Sequence, residues 1–231
     1  MSFIQIRPTA KHDFYGPIHK GLRLALSQML TRLGAADAED YEGLLSLLDD
    51  LRAQLSISEH HLANEDAEIH TALEARAPGS TARLAQAHAH HRASFEEMEA
   101  LIVRIAGSPA AERVVLMKSL YLRFSLFVAE DFAHMAEEEQ LVLPILQSLF
   151  ADDELIEIED RIMSRVTPEE MVVYGRLMIP AATREERISL LDAIRANAPA
   201  EAFHGIMEAA ARPTLSPADF EHLCSGLGMA A

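Results

Sequence analysis

The chain has 231 residues, 49% of them hydrophobic, which is enough for a sizeable core in one large domain or a main domain with an appendage. Acidic residues outnumber basic ones 36 to 20, a formal net charge of -16 that repels phosphate backbones and anionic lipid, so neither nucleic acid nor a membrane is an expected partner. A single cysteine, Cys224, forbids an internal disulfide. No apolar run reaches the roughly 20 residues that span a bilayer and no signal-peptide pattern opens the chain, so a cytoplasmic location is expected.

Apolar residues recur at spacings of three and four almost throughout, with hardly any alternation, so the fold class expected is all-α. The first helix opens at Pro17, carries Leu22, Leu26, Leu30 and Leu33 on one stripe with His19, and stops at Gly34. A second begins near Asp37 and runs through Tyr41, Leu44, Leu48, Leu51, Leu55, Leu62 and Ile69 to Pro78-Gly79, with His61 and Glu65 flanking its stripe. A third starts after Ser80-Thr81 and steps through Leu84, His88, His91, Phe95, Met98, Ile102 and Ile105, so two histidines occupy core positions. The fourth and longest steps through Met117, Leu120, Phe124, Phe127, Asp131, His134, Glu138, Leu141 and Ile145, with Pro144 inside it as a kink or an end. Short connections near 34–37, 77–80 and 107–110 favour antiparallel neighbours, hence an up-down-up-down four-helix bundle over residues 1–150.

Beyond residue 150 the texture changes to short helices. Thr167-Pro-Glu-Glu170 and Thr183-Arg-Glu-Glu186 read as capping boxes, and Ser216-Pro217 starts another short helix. The apolar positions of 151–231 need a surface, either the bundle or a second subunit, which leaves a homodimer through the C-terminal helices open.

Of the 11 histidines, nine lie at or before His134. His61-Leu-Ala-Asn-Glu65 and His134-Met-Ala-Glu-Glu138 each put an imidazole and a carboxylate one turn apart on the same helix face. In the fourth helix three consecutive core steps, Asp131, His134 and Glu138, are ionisable, and buried charge costs several kcal/mol unless it is paired or coordinates a metal. Together with His19 and the His88/His90/His91 cluster, these pairs suggest a metal site assembled from four helices. Imidazole with carboxylate suits iron, zinc, manganese or copper, and structural zinc would more often recruit cysteine. Four histidines and two glutamates exceed one tetrahedral ion, so two ions bridged by Glu65 and Glu138 is the economical arrangement. Other chemistries lack their residues. The Glu-x-x-His of ferritin-like carboxylate enzymes occurs only at Glu201–His204, far from the cluster, and there is no His-Glu-x-x-His, Gly-rich phosphate loop or Gly-x-Ser-x-Gly turn.

With His19 early in the first helix, His-His-x-x-x-Glu at His60 to Glu65, His91 on the third, and His-x-x-x-Glu-Glu at His134 to Glu139 followed by Leu143-Pro144, residues 12–150 resemble the hemerythrin-like, or HHE cation-binding, family. The resemblance implies a bundle around a non-haem di-iron centre, with His19, His61, His91 and His134 as terminal ligands of two iron ions and Glu65 and Glu138 bridging. It implies a small ligand as partner: oxygen, nitric oxide or peroxide, bound or sensed. One departure matters. The oxygen carriers have two histidines four apart on the third helix, whereas Ala87 stands four before His91 and His88 three before it. The fifth position then falls to His88, or to Asp131 or Glu130, and Asp131 is otherwise placed to fix an imidazole. Sensing, storage or redox chemistry is favoured over reversible oxygen carriage. A redox enzyme acting on peroxide or nitric oxide or repairing iron centres, or an iron-handling protein, stays open as an alternative to a binding module. His60, His70 and His90 are expected to be solvated neighbours.

Overall fold

A computed structural model describes residues 11–230; the first ten residues of the domain expected at 1–150, and Ala231 at the end of that expected at 151–231, lie outside them. The described chain is all-helical, with 85% of residues in nine helices and no strand. None of these helices is long and apolar enough to cross a membrane.

The helices are α1 (Gly16–Gly34), α2 (Tyr41–Asn64, a π-helical turn Glu65–His70, then Thr71–Arg76), α3 (Ala82–Gly107) and α4 (Ala110–Glu137, a π-helical turn Glu138–Val142, then Leu143–Leu149). They are followed by α5 (Asp152–Met163), α6 (Pro168–Ala181), α7 (Arg184–Asn197), α8 (Ala200–Ile206, a π-helical turn Met207–Ala211, then Arg212–Thr214) and α9 (Pro217–Gly226). Contacts divide the chain into two units: Ala25–Ile162 with Lys11 and His12, and Asp13–Leu24 with residues 163–230. The division therefore falls inside α1 and near the end of α5, whereas the sequence pattern suggested a change of texture at 150.

In the first unit the long helices alternate in direction. Arg52 on α2 meets Glu99 on α3, and Arg92 on α3 returns to Glu59, so the two helices run antiparallel. Between α3 and α4, joined by two residues, Phe95 packs on Phe127 and His91 faces Asp131, again antiparallel. Leu48, Leu51, Met98, Ile102, Ile105, Leu120, Phe124 and Phe127 are buried between them, as their spacing predicts. Asp40 caps α2 by accepting from the Gly43 N–H, three residues beyond the start expected near Asp37, which leaves Tyr41 on an exposed first turn.

The π turn in α4 changes which face is inside. A strict three-and-four count carries the core from Glu138 to Leu141 and Ile145, but these are 57% and 43% exposed, and Val142, Leu143 and Leu146 are buried instead. One extra residue in the turn rotates everything downstream, and Leu143 N–H reaches back five residues to the Glu138 carbonyl. Pro144, which has no N–H to give, is thereby carried inside a helix that continues to Leu149.

The second unit has its own apolar core of Ile179, Leu191, Phe203, Ile206, Met207, Phe220 and Leu223. Both capping boxes form, Thr167 with Glu170 and Thr183 with Glu186, and Ser216 caps α9. Two glycines permit close approach. A Cβ on Gly175 would sit 3.0 Å from the Ala210 methyl, and one on Gly21 would sit 3.0 Å from the Leu177 backbone. The Gly21 approach and the Lys20–Glu186 ion pair (2.6 Å) tie the first turns of α1 to this unit.

Candidate metal centre

Both Glu65 and Glu138 are the first residue of a π-helical turn, and each follows a histidine by four residues. Their own N–H groups are shared between two carbonyls, those of His61 and Leu62 for Glu65 and those of His134 and Met135 for Glu138. α2 and α4 thus present the same local device, an imidazole below and a carboxylate above, just where the backbone widens. His61 Nε2 stands 3.2 Å from Glu65 Oε1 and His134 Nε2 stands 3.2 Å from Glu138 Oε1.

α3 supplies the third wall. His88 Nε2 lies 2.9 Å from His134 Nε2, 3.4 Å from Glu65 Oε2 and 3.9 Å from Glu138 Oε1. Glu65, His88, His134 and Glu138 therefore form a group whose ligand atoms all lie within 4.8 Å of one another, and all four side chains are buried. Buried carboxylates meeting imidazole nitrogens are a donor set suited to a transition ion, with no cysteine involved. This cluster could hold a metal ion.

The flanking groups fix the imidazoles. Asp66 Oδ1 lies 2.8 Å from His88 Nδ1 and 3.0 Å from His70 Nδ1, while its other oxygen accepts from Arg92 Nη2 at 2.9 Å. With Nδ1 of His88 held by Asp66, its Nε2 is turned toward the cluster. Asp131 is buried 3.5 Å from His91 Nδ1, and the His91 ring packs edge-on against Phe127 and His134. Phe124 and Phe127 are fully buried one to three turns below, which keeps bulk water from that side.

These surroundings separate the histidines electrically. Burial, then the neighbouring His134 and His88, push the His91 imidazole down to about 3, so it stays neutral. Burial also works against charge on His134, yet the Glu138 hydrogen bond and the Glu138 and Glu65 charges outweigh it and raise its pKa. His88 is raised likewise, against burial, by Glu138, Glu65 and Asp66. Asp66 is held below the ordinary carboxylate range because Arg92 and His88 overcome its partial burial.

Of the residues singled out in the sequence, Glu65, His134 and Glu138 converge with His88, which there stood only as an alternative ligand. His61 adjoins through Glu65 and His91 through the His134 ring. His19 is buried and stacks on Tyr15 with ring centroids 5.1 Å apart, in the Asp13–Leu24 stretch grouped with the second unit. His60 and His90 are exposed as expected, but His70 is 95% buried, because the π turn swings it inward beside His88 (ring centroids 4.8 Å). Asp66 escaped sequence reasoning altogether. Its signal was present as a second carboxylate–imidazole pair four apart, Asp66 and His70, immediately after the first.

Comparison of the chain with protein-family models, curated proteins and solved structures finds no match.

Proposed function

We propose that the first unit is a hemerythrin-like four-helix bundle enclosing a non-haem di-iron centre that binds or senses a small ligand, oxygen, nitric oxide or peroxide. The observation that carries the reading is the buried convergence of Glu65, His88, His134 and Glu138 from three helices, two of them built alike around a His-x-x-x-Glu pair at a π turn. Glu65 and Glu138 are the bridging candidates because each reaches His88 and its own helix's histidine at once. His61, His88, His91 and His134 are the terminal candidates. His19 is a further candidate from the sequence, and the proposal does not depend on it.

Bound iron would supply a redox-active Lewis acid with a coordination position for a small ligand. The chain's own residues do the rest. Asp66 and Asp131 orient His88 and His91, the neutral His91 offers a lone pair without first losing a proton, and Phe124 and Phe127 exclude water. A set rich in imidazole donors favours binding and sensing over strongly oxidising turnover.

The deciding experiment is metal analysis of iron-replete protein with absorption spectra in reduced, oxygenated and azide-treated states. Two iron ions per chain with ligand-to-metal charge-transfer bands are expected. A preparation with no stoichiometric transition metal overturns the reading, and steady turnover of peroxide or nitric oxide with an electron donor moves it to an enzyme.

A further inference from the structure

The outward face of α4 is out of keeping with so acidic a chain. Val115, Leu122 and Leu126 are 67%, 56% and 54% exposed, and Leu141, Ile145 and Leu149 continue the strip at 57%, 43% and 37%. Ala129 and Ala133 lie exposed between the two groups, and beyond the first turn Lys118 is the one charged residue among the fully exposed positions of the helix. The π turn that follows Glu138 is what brings Leu141 and Ile145 onto this face.

Isolated exposed leucines need no explanation, but a contiguous strip along a helix of this length marks an interface. The six large side chains expose on the order of 600 Å², so a two-fold pair of strips would bury about 1,200 Å², the lower end of the range for specific interfaces. Charge selects the occupant and its direction. Among the charged residues of α4 that are not buried, Arg113, Lys118 and Arg123 precede residue 124, whereas Glu130, Glu137 and Glu139 follow residue 129, and Glu112 in the first turn is the one acidic group in the basic half. Antiparallel pairing of two such helices sets basic halves against acidic ones, while parallel pairing opposes like charges. The small Ala129 and Ala133 lie midway, where two backbones would approach most closely.

We propose that α4 is a self-association helix, along which two copies of this chain pack antiparallel about a two-fold axis near Ala129 and Ala133. The surface differs from the C-terminal helices that the sequence left open for a homodimer, and it requires no metal.

Sedimentation of the full chain over a wide concentration range tests it. The mass should approach twice 25.5 kDa, and Leu122→Glu with Leu126→Glu should return it to one chain with unchanged helical content. Ile156→Glu, at an exposed apolar residue on α5, should leave the dimer intact. In a Cys224→Ser background, Ala129→Cys or Ala133→Cys should give a disulfide-linked dimer with diamide, a result that holds the proposal to account even if the charged variant fails to fold. A single-chain mass at every concentration overturns it, whether an unlike protein, a lipid surface or the chain's own second unit covers the strip. Retention of the dimer in the charged variant, or its equal loss in Ile156→Glu, overturns it too.

Discussion

The two units bury opposite materials. The second closes over an apolar cluster of Ile179, Leu191, Phe203 and Phe220, whereas the first places Glu65, His88, His134 and Glu138 at its centre among phenylalanines and leucines. Their π turns sharpen the contrast. Those at Glu138–Val142 and Met207–Ala211 are each followed two residues later by a proline, Pro144 and Pro213, whose missing N–H gives the backbone a local reason to widen. The turn at Glu65–His70 has no such proline, and it is the one that delivers Glu65, Asp66 and His70 together. A widened turn alone does not mark function. The one with no proline behind it opens on a buried carboxylate of the proposed site.

If the polar interior exists for metal, stripping the metal should have the largest effect of any treatment. A melting temperature lower by roughly 10 °C or more is expected in calorimetry for the first unit's transition, with the second unit's unmoved. Phe203→Ala should do the reverse, costing about 3–5 kcal/mol in the second unit whether or not metal is bound. Glu138→Leu should remove at least one metal equivalent yet stabilise the metal-free protein by about 1–4 kcal/mol, because a buried charge is replaced by an apolar group; Glu137→Leu should do neither. Loss of stability on replacing Glu138 in metal-free protein would show the cluster to be structural. Next in size, Asp66→Asn should weaken metal binding about 10- to 100-fold with helical content unchanged, measured by competition with a chelator.

The smallest expected effect is a pH slope. The folded state holds His91 neutral to about 3, whereas the unfolded chain takes up a proton near the ordinary 6.5. The unfolded state then binds more protons between those values, so this contribution is present above 6.5 and is lost as pH falls toward 3. In metal-free protein, His91→Leu should flatten the acid side of the stability curve over that window. An unchanged slope would place the His91 ring in water.

Much of this arrangement was legible in the chain because it rests on local rules. Three-and-four spacing located the buried faces of α2 and α3, and the Thr167 and Thr183 boxes located two helix starts. His61, Glu65, His134 and Glu138 stood out because one spacing occurs twice. What escaped depends on the π turns, which break the period that the counting assumes. Leu141 and Ile145 fell on the wrong face, His70 looked solvated, and Asp66 went unnoticed although it holds His88. The grouping of Asp13–Leu24 with residues 163–230 rests on long-range packing at Gly21 and Lys20, for which no local signal exists.

The boundary inside α1 governs how the molecule can be taken apart. Because Asp13–Leu24 belongs with residues that come 140 positions later, the polypeptide switches allegiance at 12/13, at 24/25 and again at 162/163. No single cut yields two intact halves: a fragment ending near 150 would keep a stranded segment bearing His19, Gly21 and Lys20, and its complement would lack the segment that packs at Leu177 and Glu186. A faithful dissection calls for moving that segment, by circular permutation or by grafting it onto the later residues, rather than for scissors.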